Sequence, residues 1–541
     1  MHKRIVSIIT AVILLALTLG ACGKKEAISM VMPIASDPMC IDPQVVETDA
    51  GKLIVANCYE GLVRLDENYN IVPGVAKTWE ISADGLTYTF HLREDAVWQR
   101  LETAHKKILP EKFSVKVTAN DFQFGLRRAL NPITRCSDAE KFLCIKNASA
   151  VNSGEMESKA LGVTAENDTT LVITLERANP DFLRLLTLPA AMPCNEAFFN
   201  RMHAKYGLDL SYTFCNGPFY LSRWAADNTL VIRKAEKYSG ENATEVGAVY
   251  FYVNSDSESV ISKFRQHSYD CIYLNENGKN ELSDIKNVQY LESVNMVSGL
   301  CFNCGENALY SADIRKALLS VSKTENLEKP AGAVEKAQGI VPDCCRFSDK
   351  SYRSYAGPVK MTRYDEELSA QLWEKGLKEM DLETLEVKII CTEEYTSQMQ
   401  SIIQDWQRVF GTKIIAKVET LSAEDFRKAL KNGTFQIAAG SVSTDSSTAI
   451  DILKTFKTDA PENIFHYSSE DYDSLVDGII TTSEGIDILA GYKTAEQLLI
   501  SDGVFFPLFT YSKSIAVSGE DSGLYALPVF ESIIFSNGGK S

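Results

Sequence analysis

Histidine is scarce in this chain: there are six among 541 residues, at His2, His91, His105, His203, His267 and His466. None stands in H-x-x-x-H spacing, so a helix presenting two imidazoles to one metal ion is disfavoured. No G-x-S-x-G elbow and no G-x-G-x-x-G turn occurs. The closing Asn-Gly-Gly-Lys-Ser has Ile534 where a phosphate-binding loop needs its first glycine, and it reads as a frayed tail. Positive charge is also short. The 55 lysines and arginines against 72 acids leave −17, a balance that repels nucleic acid and anionic membrane surfaces. Carboxylates are plentiful, yet no pair is singled out by spacing. These absences argue for binding rather than turnover, and no metal or cofactor is expected.

Long apolar runs are missing too, with one exception. Lys3 and Arg4 precede an almost uninterrupted apolar segment from Ile5 to Leu19, followed by Gly20-Ala21-Cys22. The segment has the length of a signal-peptide core and is short for a membrane span. Leu19-Gly20-Ala21-Cys22 resembles the bacterial lipobox, which implies a signal peptide over 1–21, cleavage before Cys22 and a lipid (palmitate-type) anchor on its thiol. The alternative is an ordinary secretory signal with an incidental cysteine.

What remains is the composition of a folded globule, 45% hydrophobic and 23% charged, long enough for two or three lobes. The other twelve cysteines are an even number in an exported chain, which permits disulfides without assigning any. Cys301 and Cys304 form a C-x-x-C, and Cys344 and Cys345 are adjacent. A four-thiolate zinc site is conceivable from these pairs. Buried thiols or local disulfides are the simpler reading, because the C-x-x-C lies in strand-like sequence with no histidine near it.

The chain alternates strand-like and helix-like stretches. Residues 28–35 read as a buried strand, and Tyr88, Phe90 and Leu92 alternate as one inward face. From Thr118, the spacing of Phe122, Leu126 and Leu130 predicts a helix that stops before Pro132. Further helices are expected over 313–327, 365–380, 396–411 and 423–433, interleaved with strands over 384–392 and 412–420. Strands joined by helices imply a partly parallel sheet in the C-terminal half.

Five stretches, in this order, resemble the extracytoplasmic peptide-binding proteins of ATP-driven (ABC) importers, the family of oligopeptide-, dipeptide- and nickel-binding proteins. They are Glu60–Trp98, Val117–Pro132, Cys215–Trp224, Ala312–Leu327 and the late run Tyr472–Phe509. The resemblance implies an α/β, periplasmic-binding-protein-like fold of three lobes, two of them hinged around a ligand. Lobe one would take 23–60, 186–297 and 501–541, an extra lobe 61–185, and lobe two 298–500. It also implies a monomer outside the cytoplasm, anchored to the cell membrane, that captures a solute, most plainly a peptide, for an ABC permease. Sensing or adhesion on the same fold is the alternative, with a secreted hydrolase behind it.

The resemblance also carries site residues. An acid shortly before an Asp-Pro lines the family's cleft, and here Asp37 stands five residues before Asp42-Pro43. The peptide binders' Gly-Trp-x-x-Asp supplies a carboxylate for the ligand's amine. This chain has Gly440-Ser441-Val442-Ser443-Thr444-Asp445, with no tryptophan and the aspartate one place late, so Thr444 and Asp445 are the candidates. The tyrosine four residues after a late proline points to Tyr511. The competing readings are a turn residue for Asp37 and a core aromatic for Tyr511.

Overall fold

The computed structural model describes residues 28–536, apart from 100, 242–243, 275–277, 306–307, 349, 445–447, 482–484, 520–521 and 528–531. The signal segment, Cys22, Asp445 and the last five residues therefore lie outside it.

Strand β1 (Ile28–Ile34) leads to helix α1 (Asp49–Cys58), whose cap Thr48 accepts the Gly51 N–H and donates its hydroxyl to the Pro38 carbonyl. That second bond ties the loop after β1 to the start of the helix. Strands β2 (Ala76–Ile81) and β3 (Thr87–Leu92) come next, and then helix α2 (Ala119–Ala129). With β4 (Val163–Asn167) and β5 (Thr170–Thr174) they form an antiparallel sheet of order β2-β3-β5-β4. Tyr88, Phe90 and Leu92 are buried, as their alternation requires, and α2 lays Phe122 and Leu126 on the same core. The carboxylate of Asp121 reaches back to the Thr118 N–H at 2.8 Å, which stops the chain fraying where the helix begins.

Strands β6 (Phe219–Ala225), β7 (Thr229–Lys234) and β8 (Val246–Val253) join β1 in a second sheet, β1-β8-β7-β6, with β1 parallel to β8. The third sheet is built from β9 (Cys271–Leu274), β10 (Val288–Phe302), β11 (Ala333–Lys336), β12 (Leu385–Cys391), β13 (Ile414–Thr420), β14 (Ile437–Ser443) and β15 (Phe505–Ser518). Its order is β9-β15-β10-β14-β12-β13, with β11 also against β15. The pairs β12–β13 and β12–β14 are parallel, which fulfils the expectation of a partly parallel sheet. Helices α3 (Ala312–Ser320), α4 (Glu366–Glu379), α5 (Thr396–Phe410), α6 (Ala423–Lys431) and α7 (Gly485–Ser501) connect its strands. Alternate residues of β10 feed different cores, Leu300 and Phe302 packing with Trp373 and Trp406, Cys301 with Phe465 and Tyr492.

One helix differs from its expected span. Residues 313–327 were to be continuous, but α3 ends at Ser320. There the hydroxyls of Ser320 and Ser322 turn back to the carbonyls of Lys316 and Leu318, and Asp405 takes the Lys323 N–H at 2.9 Å, so distant and local acceptors replace the next helical turn.

Strands β10 and β15 dominate the architecture. They pair from Val288–Ser518 to Cys301–Phe505, so residue 297, an expected lobe boundary, falls inside a continuous strand. The ladder is irregular between Val294 and Met296 and between Ser298 and Gly299.

Candidate ligand-binding cleft

Two cavities open along the β10–β15 ribbon. The larger, about 880 Å³, is walled by β10 (Glu292, Asn295, Met296), β15 (Tyr511 to Ser514), the end of β14 (Ser443), the start of β11 and Lys279. The smaller, about 590 Å³, is walled by Ala35 and Ser36 after β1, by Glu47 to Ala50 at the start of α1, and by Tyr273 of β9. Both are bounded by Leu274 and Lys513, so they are adjoining chambers of one cleft. Its wall therefore joins elements of the second sheet's region to elements of the third, with β9 and β15 bordering both chambers.

The polar groups are anchored from the strands. Glu292 accepts the hydroxyls of Ser512 at 3.0 Å and Ser514 at 3.2 Å, and forms an ion pair with Lys279. Burial alone would raise the Glu292 carboxyl, but these donors outweigh it and hold it below the usual carboxylate range. Burial lowers the Lys513 ammonium, and the nearby charge of Asp49 opposes that shift only in part. Asp49 sits in the first turn of α1, where the helix N-terminus favours an anion. Tyr511 is buried, lies opposite Met296 and Ala333, and has its ring 6.2 Å from that of Tyr395. Such a surface, polar and shaped by rigid strands, suits reversible capture of a solute.

Residues 70–463 match the family model described as Bacterial extracellular solute-binding proteins, family 5 Middle. The chain belongs to this family. It is 26% identical over 506 residues to the dipeptide-binding protein DppE of Bacillus subtilis, covering 91% of this chain and 89% of that protein. It is 25% identical over 488 residues to the probable deoxycholate-binding periplasmic protein YgiS of Escherichia coli, with 88% and 86% covered. Among solved structures, the substrate-binding domain of an oligopeptide ABC transporter from Bacillus anthracis superposes with a TM-score of 0.68 at 23% identity, covering 94% of this chain and 98% of that one. The fold is thus the α/β, periplasmic-binding-protein-like fold of family 5, whose members act outside the cytoplasm.

Of the four ligand-site candidates of this family 5 chain, three lie among the described residues. Tyr511 stands in the wall of the larger chamber. Thr444 follows the wall residue Ser443, is buried, and donates its N–H to the Asn295 carbonyl at 3.3 Å. Asp445 and the lipid-attachment candidate Cys22 lie outside the described residues. Asp37 does not reach the chamber walls. Its carboxylate accepts from the Met39 N–H, the Trp224 indole and the Asp227 N–H at 3.0 to 3.1 Å, and so closes a loop of the second sheet.

Lys513, Glu292, Asn295, Lys279 and Asp49 were not singled out from the sequence. For Lys513 the signal was available: it stands two residues after Tyr511 on a strand, and period two puts both on one face. For Glu292 and Asn295 the signal was polar residues recurring inside an otherwise apolar strand.

The four paired cysteines fall in one hydrophobic cluster, but among the described residues no three potential ligands converge as a metal site requires. Burial pushes the Cys301 thiol up to about 12 and the Cys304 thiol up to about 11. The described cysteines carry no disulfide. Among the described residues no helix is long and apolar enough to cross a membrane.

Proposed function

We propose that this chain captures a peptide in the two-chambered cleft, closes on it by bending at the β10–β15 ribbon, and delivers it to a membrane permease. A lipid on Cys22 holds it at the outer face of the membrane, near its transporter, raising its effective concentration there. It binds without turnover. The observation that carries the reading is the cleft itself: two adjoining chambers whose walls are strand ends and charged or polar side chains, built on two strands that run through the molecule. Strand edges can hold a peptide's main chain with little regard for its side chains.

Closure is a shift between open and closed populations, driven only by the ligand's preference for the closed one. Asp445 is the proposed partner of the ligand's α-ammonium. Native mass spectrometry of the purified chain should show retained peptide, and calorimetry with a pool of short peptides should show binding. A retained non-peptide solute with no peptide binding would replace the reading. If Asp445 anchors the amine, Asp445→Asn weakens a free-amine peptide by roughly 30-fold or more and leaves its N-acetyl form unchanged. Cys22→Ala should release the protein or leave it unprocessed, without unfolding it, as detergent partitioning and the size of the chain would show. A variant still membrane-bound at mature size would refute the anchor.

A further inference from the structure

Two cysteines from distant parts of the chain stand side by side, away from the cleft. Cys58 is the last residue of α1, and Cys215 lies four residues before β6. Their segments are fastened by backbone and side-chain hydrogen bonds. The Gly217 N–H donates to the Cys58 carbonyl at 2.9 Å, the Glu60 N–H to the Asn216 side-chain oxygen at 3.1 Å, and the Asn216 side-chain nitrogen back to the Glu60 carbonyl at 2.9 Å. The two backbones run so close that a Cβ on Gly217 would lie 2.7 Å from the Cys58 carbonyl carbon. Both cysteine side chains are buried in the same hydrophobic cluster. Burial raises the Cys58 thiol well above its usual range, and the Cys215 thiol beside it is the next cause.

The cysteine pairs conspicuous in the sequence lack this arrangement. Cys344 and Cys345 are consecutive, so a bond between them closes only a small strained ring and joins no separate segments. Burial is the main cause that raises Cys301 and Cys304, and no second thiol contributes to either.

We infer that Cys58 and Cys215 are a site of disulfide formation, cross-linking the end of α1 to the loop before β6 when the chain folds outside the cytoplasm. The oxidant is a disulfide of the surroundings, carried by a small thiol compound or an oxidoreductase. One cysteine loses its proton and attacks that disulfide, expelling a thiolate that takes the proton up. The second cysteine, likewise deprotonated, attacks the mixed disulfide, forms the Cys58–Cys215 bond and releases the other half of the oxidant as a thiol. Two electrons and two protons thus pass from the pair to the oxidant. Because both sulfurs are closed off in the folded chain, the exchange takes place during folding, before the cluster shuts. The loop so closed contains the whole antiparallel sheet, and closing it removes freedom from the unfolded chain. Glu60, two residues beyond Cys58, holds Arg93 and the Tyr238 hydroxyl, so the bond reinforces the place where the segment bearing that sheet leaves lobe one.

Peptide mapping tests this on the full chain exported to an oxidising bacterial periplasm and alkylated in denaturant on release. The map should contain a peptide pair joining Cys58 to Cys215 that reductant splits, and the same chain made in a reducing cytoplasm should lack it. The cross-linked chain should melt about 5 °C or more above its reduced form, and Cys58→Ala and Cys215→Ala should each lose that difference. Alkylation of both Cys58 and Cys215 in the exported chain, or a bond from either to another cysteine, overturns the inference. Should either variant fail to fold, the wild-type map alone decides.

Discussion

Asp42 carries more of the fold than its place in an Asp-Pro dipeptide suggests. Its carboxylate takes both terminal nitrogens of Arg128, at 2.7 and 3.1 Å, and the Gln44 N–H at 3.1 Å, all in a site almost closed to solvent. The guanidinium also stacks 4.0 Å from the centre of the Phe199 ring. Arg128 belongs to α2, so one pair fastens the helix beside the antiparallel sheet to the loop after β1. Removing the anion alone strands a buried cation, which typically costs about 3–5 kcal/mol. Asp42→Ala should therefore lower the urea midpoint markedly, whereas Asp42→Leu with Arg128→Met should recover part of the loss. If the single and double variants unfold together, the pair is not what holds the two segments. The sequence could not show this role, because the partner is 86 residues away and the dipeptide gave only a landmark. Tyr511, singled out by its spacing to Pro507, packs in a core cluster and also borders the larger chamber, so its position agrees with both readings of it.

At the level of elements, helices were legible where local chemistry closes them. Helix α4 begins at Asp365, whose carboxylate caps the Leu368 N–H at 2.8 Å, and α6 begins where Ser422 caps the Asp425 N–H at 3.2 Å. Both caps, with the apolar spacing that follows them, are written in adjacent residues. The fifteen-residue β10 was not legible at full length, since Glu292, Ser293, Asn295 and Ser298 interrupt its apolar pattern. These are residues a strand can carry only where it borders a polar cleft or meets a satisfied partner, which is information from the tertiary fold. Gly299 leaves no room for a side chain between the two long strands: a Cβ there would lie 2.2 Å from the Phe506 carbonyl oxygen. Backbone cannot yield to it cheaply. Gly299→Ala is expected to destabilise by about 1–3 kcal/mol through overpacking and to shift the open and closed balance, because the strain falls at the second irregularity of the ladder. Thermal unfolding and small-angle scattering with and without peptide test both parts, and an unchanged melting temperature would show that the ribbon relaxes more freely than its packing implies.

For the whole molecule, contacts between the region of the antiparallel sheet and the region of the third sheet set how closure responds to pH. Asp181, between the antiparallel sheet and α7, is buried and accepts the Tyr492 hydroxyl at 3.4 Å, while Arg346 donates to Asn70 at 3.2 Å across the same junction. Burial is the main cause that raises the Asp181 carboxyl to about 6, from 3.8. The charge of Asp451 adds to it, and Arg184 and the Tyr492 hydroxyl oppose it. If opening returns Asp181 to water, the closed state holds its proton more tightly than the open one. Closure is then favoured below about pH 4, loses about 1.4 kcal/mol for each unit of pH between 4 and 6, and stays penalised above 6. Asparagine imitates the protonated side chain. Asp181→Asn should consequently bind peptide about tenfold or more tightly than wild type at pH 7.5, and the gap should narrow as pH falls through 6 and close only below about pH 4. Using one peptide for both proteins cancels the ligand's own titration, so the ratio of their dissociation constants isolates Asp181. A ratio that is flat across this range would mean that Asp181 remains buried when the cleft opens, and that the junction with α7 moves as one body with the antiparallel sheet.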